Sequence, residues 1–289
     1  METAKAEELV QSKMRREITS LDDDELWAEF EPEGIDRVLS GEIKPKTLIT
    51  NYGVLRYRRF PQRGALIAKE MLSVFPNSTY IKWKWGFSNS LKELIGIAKE
   101  RACTSLVLAR TNSDGYDEIR IVSLLNGAAA EFSVLNLIPR EDIPDQASPP
   151  IRLYPEVNMG LFTSPASVGA ARLIQSLFPK VTDSGPRNGA CRRNIAFFQN
   201  QKGCIHYRHY WNHAEEVSRV GDGTRVMKVT KKECGPQFVL MLTALSKIAV
   251  ETGSEKRICV ALTQRIVSLL FSMESQPPWI TLPVPPARI

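Results

Sequence analysis

From Cys204 to Trp211 the chain reads Cys-Ile-His-Tyr-Arg-His-Tyr-Trp, the densest mixture of rings, imidazoles and guanidinium in the protein. All three histidines, His206, His209 and His213, fall within eight residues beside Cys204. Three chemistries suit such a set. Zinc needs ligands that converge tetrahedrally, whereas alternation along a strand sends His206 and His209 to opposite faces. Cys204 and His206 share a face, but nothing near them reads as an orienting group or an oxyanion hole. No metal ligands, cofactor or catalytic residues are therefore assigned. The third chemistry is nucleic-acid binding, in which flat rings stack bases and cations hold phosphates. Beside it stands a plainer reading: a sheet strand whose rings are core and whose Arg208 and His209 are solvated.

The segment needs a scaffold. Ile195 to Phe198 is apolar and β-prone, and the polar run Gln199 to Gly203 ends in a glycine suited to a hairpin loop. Alternation then puts Cys204, His206, Arg208 and Tyr210 on one face, and Ile205, Tyr207, His209 and Trp211 on the other. A second cationic group precedes a helix expected from Gln62 to Val74. Arg56, Arg58, Arg59 and Arg63 lie within eight residues around Tyr57, a phosphate-binding arrangement at a helix N-terminus or a solvated loop. On a strand from Ser78 to Trp85, Lys82 and Lys84 face one way and Trp83 and Trp85 the other. Arg192, Arg193, Lys231 and Lys232 extend the second group, and Gly235-Pro236 reads as the turn that presents it. Tyr207, Tyr210 and Trp211 are the candidate stacking rings. The expectation is that both groups meet on one surface holding a polyanion.

The rest of the chain supports an α/β layer fold. Strands at 46–50, 105–109, 118–125 and 129–137 alternate with helices at 62–74 and 91–102. Asn126-Gly127 marks a tight hairpin. A proline-rich connector at 142–155 precedes a partial restart, with a helix at about 168–178. Ser73-Val74-Phe75-Pro76 is echoed by Ser176-Leu177-Phe178-Pro179, which points to two related halves. Residues 1–42 hold 5 Lys/Arg against 13 Asp/Glu, while the remainder holds 33 against 19. An acidic helical arm thus sits on a basic body that faces a polyanion. Leu26, Trp27 and Phe30 make the arm a candidate docking segment. Residues 248–289 read as a tail, with one amphipathic helix at 260–273 and a proline-rich end. The five cysteines form no CxxC pair, which fits a reducing, intracellular setting. No stretch approaches a membrane helix. No GxxxxGK[ST] loop or glycine-rich dinucleotide signature is present, so nucleotide-driven chemistry is not expected; no small-molecule substrate is assigned.

Several segments then fall in a recognisable order: PKTLIT, MLSVFPNSTYIK, LKELIGIAKERACTSLVLA, LLNGAAAEFSVLNLIPREDI, ARLIQSLFPKV, FFQNQKGCIHYRHYWN and ECGPQFVLML. Over about residues 43–247 the chain resembles the Brix domain family, and most of all its ribosome production factor one branch. The resemblance implies two similar α/β halves of mixed sheet and helices, at about 43–142 and 156–247, like the anticodon-binding domains of class II tRNA synthetases. It also implies a non-enzymatic role in pre-rRNA processing for the large ribosomal subunit, in the nucleolus. Pre-ribosomal RNA and other assembly factors would be the partners. The small-subunit processome branch is next in likeness. Arg208-His209 matches the family's Arg-His pair, and Gly235-Pro236 matches its Gly-Pro. Gln237, Met241 and Pro165 replace basic residues usual in the family, and Gly127-Ala128-Ala129-Ala130 replaces Gly-Pro-Thr-Ala. Each arginine replaced removes one charge-assisted phosphate contact, on the order of 1.5–3 kcal/mol before solvent losses. Those replacements support a competing reading, a protein-interaction scaffold with reduced RNA binding.

Overall fold

The computed structural model describes residues 33–51, 63–82, 91–112, 115–148, 153–181, 193–219 and 225–260. Its first half runs α1 (Glu33–Leu39), β1 (Thr47–Asn51), α2 (Gly64–Val74), β2 (Ser78–Ile81), α3 (Leu91–Glu100), β3 (Ser105–Thr111), β4 (Asp117–Ser123) and β5 (Ala128–Ile138). The second runs β6 (Glu156–Gly160), α4 (Pro165–Gln175), β7 (Arg193–Gln201), β8 (Cys204–Arg219), β9 (Arg225–Glu233), β10 (Gln237–Ile248) and β11 (Glu255–Val260). Local chemistry accounts for these elements. In α2, Ile67, Ala68, Met71 and Val74 recur at helical spacing and are all buried, and Phe75 leaves the helix in extended geometry ahead of Pro76. At the start of α4, Ser164 Oγ accepts from the Ser167 N–H and Ser167 Oγ accepts from the Ser164 N–H. Pro165 takes the first helical position, where its missing N–H leaves no bond unmade.

All the described strands join one mixed sheet in the order β2-β1-β3-β4-β5-β10-β8-β7-β6, with β9 paired to β8 and β11 to β10. The pairing repeats. β1 and β3 are parallel, with β4 and β5 following antiparallel. Likewise β6 and β7 are parallel, with β8 and β10 following antiparallel. An antiparallel seam of β5 on β10 joins the halves, which gives the expected two-part α/β fold. The echoed tetrapeptides have a physical role: Phe75 and Phe178 meet edge to face at 5.6 Å. From Phe178 the ring contacts continue through Phe198 and Tyr207 to Phe238.

The larger core lies on one face of the sheet, where α1, α2 and α4 pack. On the other face α3 covers Leu48, Leu106, Leu108 and Val122 of the first half, and no described helix covers β7 and β8. Among the described residues no helix is long and apolar enough to cross a membrane.

Several boundaries differ from the sequence expectation. Residues 33–39, read as part of the arm, form α1; Ile35 and Val38 are buried, and Asp36 pairs with Arg172. Residues 255–260, read as tail, pair with β10. β6 went unread because it is only five residues long and directly follows a proline-rich stretch, although Val157 and Met159 alternate with polar residues and pack against the core. α4 begins at Pro165 rather than near 168, since Ser164 supplies the cap. The rest of the acidic arm (1–32), the proline-rich tail and most of the expected helix at 260–273 lie outside the described residues.

Candidate nucleic-acid interface

β8 has two unlike faces, as alternation requires. Ile205, Tyr207 and His209 point into the core; Tyr207 is 1% exposed and His209 7%. Asn194 Oδ1 accepts from His209 Nε2 at 2.6 Å, and Asn194 Nδ2 donates to the Leu153 carbonyl at 2.8 Å. Burial first, then the Arg140 charge, lowers the His209 pKa to about 4, against a backbone bond with Gly235 that raises it. The imidazole is a neutral core member. Tyr207 stacks on Phe238 at 4.6 Å, and its buried hydroxyl has no hydrogen-bond partner. The expectation that Tyr207 and His209 contact RNA is thereby corrected: no ligand reaches them without opening the core. Gly235 and Pro236 are buried as well, on a cis peptide. Gly235 has φ +62°, and a Cβ there would meet Ile143 Cδ1 at 2.3 Å. They shape the turn and do not themselves present a contact. His206 and His209 do lie on opposite faces, as alternation foretold.

The outward face carries a different set. Arg208 registers opposite Phe197, and Tyr210 opposite Ile195. The Phe197 and Tyr210 rings meet edge to face at 5.8 Å. Lys231 on β9 holds its ammonium 3.8 Å from the Tyr210 centroid and 6.0 Å from that of Phe197. Arg208 Nε lies 3.8 Å from Glu233, both half-buried. Burial raises the Glu233 pKa, opposed by Arg208, Gln237 and Lys231. Burial, then Arg208, lowers that of His206, so this ring is neutral at pH 7. Arg193 is exposed and belongs to the same side of β7 as Phe197. Lys232 registers with Trp211 and so falls on the opposite face to Lys231. The arrangement is two half-buried rings edged by three cations and one carboxylate, a surface on which bases can stack while phosphates meet charge.

The first-half group sits elsewhere. Arg63 precedes α2, and its guanidinium bonds Asp117 Oδ2 at 3.0 Å. Asp117 shares its side of β4 with Ile119 and Ile121, the side of the main core. Lys82 is exposed just past β2, at the end of the sheet where the parallel β1, β2 and β3 finish. Arg56, Arg58, Arg59, Lys84 and Arg192 lie outside the described residues. Among the described ones, the expected single convergent surface is absent: Arg63 stands on the face that carries α1, α2 and α4, and Arg208 and Lys231 on the other. A sheet nine strands wide in its main path separates them.

Sequence reasoning missed Phe197 and Glu233. The hairpin loop is only Lys202-Gly203, with φ +51° and +85°, and β7 continues to Gln201. Reading 199–203 as the loop hid the register that sets Phe197 against Arg208. A two-residue turn ending in glycine was the available signal.

Residues 57–244 match the model of the Brix domain. The chain is 24% identical over 245 residues to "Probable ribosome production factor 1" of Drosophila melanogaster, covering 83% of this chain and 56% of that protein. It therefore spans little more than half the length of that relative. Against the U3 small nucleolar ribonucleoprotein protein IMP4 of Bos taurus it is 24% identical over 240 residues, covering 81% of this chain and 74% of that one. The crystal structure of a "probable ribosomal biogenesis protein" from Aeropyrum pernix K1 aligns at a TM-score of 0.39 with 15% identity, covering 68% of this chain and 96% of the other. A family model that takes in both halves of the sheet and the hairpin between Arg193 and Arg219 settles the relationship: the chain belongs to the Brix domain family.

Proposed function

We propose that the protein is a non-enzymatic ribosome assembly factor that binds pre-ribosomal RNA through the outward face of β7, β8 and β9. The observation that carries the reading is the Phe197–Tyr210 pair with Lys231 over it and Arg208 and Arg193 beside it, in a Brix domain. Relatives named for ribosome production and for a small nucleolar ribonucleoprotein supply the process. Large-subunit pre-rRNA processing in the nucleolus is the assignment, with small-subunit work the alternative that the second relative supports. Exposed Lys82 adds a second basic contact at another place on the body. The test is binding of the full chain to single-stranded pre-rRNA fragments across a salt series. The affinity falls steeply with salt, because each neutralised phosphate releases counterions. A flat salt response would sink the reading.

A second reading has its own observation. Arg63 is committed to Asp117, and Glu233 stands by Arg208 and Gln237. A scaffold that meets protein partners and little RNA would carry such neutralised cations. Partners that stay bound to the chain after nuclease treatment support the scaffold; partners lost with the RNA support the first reading.

A further inference from the structure

The two halves differ at their outer edges. β1 is flanked on both sides, by β3 and by β2, each parallel to it. β6, which holds the place of β1 in the second half, pairs with β7 alone among the described strands. Its outer N–H and C=O groups are a template for another strand. Beside β6 a cavity of about 170 Å³ opens between α1 and the chain that leaves α4, lined by Val38, Leu39, Val157 and Phe178, with Glu156 and Lys180 as its charged groups. In the first half Tyr80 of β2 packs into the core, with its hydroxyl bonded to Asn51 at 2.7 Å. Tyr154 and Leu161, 40% and 60% exposed, bracket β6 at either end. The chain's own next segment, Thr182 to Arg192, carries Gly185-Pro186 and Asn188-Gly189, which are turn dipeptides and offer no apolar alternation.

We propose that the outer edge of β6 receives an extended segment of another protein, running parallel to β6 as β2 runs beside β1, with a large apolar or aromatic side chain seated in the Val38–Leu39–Phe178 cavity. Main-chain bonds would supply affinity and the socket would supply selectivity. This site lies on an edge and not on the proposed RNA face, so either proposal can fail without the other.

The test pans a phage library of random 12-residue peptides against the full chain, then maps the enriched peptides by hydrogen exchange. Enriched sequences should alternate apolar and polar residues around one large apolar side chain. At saturation they should slow exchange of the 156–160 amides at least tenfold and leave 78–81 unchanged. A Leu39→Arg chain, shown to be folded by unaltered exchange in β3 to β5, should bind them at least tenfold more weakly. Enrichment without alternation, or protection elsewhere, overturns the proposal. So does β6 protection without peptide that grows with protein concentration, which assigns the edge to a second copy. Protection lost on removing residues 261–289 overturns it too, since the edge then belongs to the chain itself.

Discussion

Lys231 lies over the Tyr210 ring, so the two act together on whatever approaches that face. Phe197→Ala should weaken binding of single-stranded RNA by about 1–3 kcal/mol, the usual worth of a stacked base. Its affinity loss should persist at high salt. Arg208→Ala and Lys231→Ala should behave differently, each lowering the salt slope by about 0.7 for a single strand. Fluorescence anisotropy across a salt series separates the two classes. His209 makes a prediction of another kind. Its folded pKa of about 4 lies below the ordinary 6.5, so the unfolded chain binds the proton first. Stability should be full above pH 6.5 and fall as pH drops towards 4, by about 3 kcal/mol in all. Urea midpoints from pH 7.5 to 4.5 test this, with His209→Gln flattening the curve. His206, also lowered, contributes in the same direction.

Elements were legible where period and turn chemistry agreed. Asn126-Gly127 was read as a hairpin, and Gly127 indeed has φ +76° between β4 and β5. A Cβ there would meet the Ile248 carbonyl oxygen at 2.1 Å, and that strand's N–H bonds the Gly127 carbonyl. Gly127→Ala should therefore cost roughly 2–4 kcal/mol, combining left-handed strain with overpacking, as a chemical denaturation midpoint would show. Ser164→Ala should cost about 1 kcal/mol by removing the cap of α4. Side-chain direction along β8 was legible from alternation, but which face was buried was not. Both faces mix rings with an imidazole, and the choice is made by tertiary partners: Phe198 and Phe238 around Tyr207, Asn194 at His209. The site was half legible for the same reason. Arg208, Tyr210 and Lys231 came from composition, while Phe197 depended on a register that only the two-residue turn fixes.

The described strands form one sheet with a repeated plan, and the three residue types shared by the tetrapeptides around Phe75 and Phe178, with Val74 answering Leu177, hinted at it. Phe178→Ala should cost about 3–5 kcal/mol, since it removes contacts to Phe75 and Phe198 at once. Near-ultraviolet and far-ultraviolet melts of that variant should still coincide, because the core spans both halves. Among the described residues, Arg63 and the Arg208–Lys231 pair do not converge: sequence distance says nothing of which side of a wide sheet a residue takes. The seam between the halves also bears on how the chain is made. β5 ends at Ile138 and its partner β10 begins only at Gln237, 99 residues later. At about 5–20 residues per second, a ribosome leaves that hydrogen-bonding border open for roughly 5–20 seconds. This chain thus spends its own birth as an unclosed sheet, the interval in which a nascent chain is most open to mispairing and most in need of a chaperone.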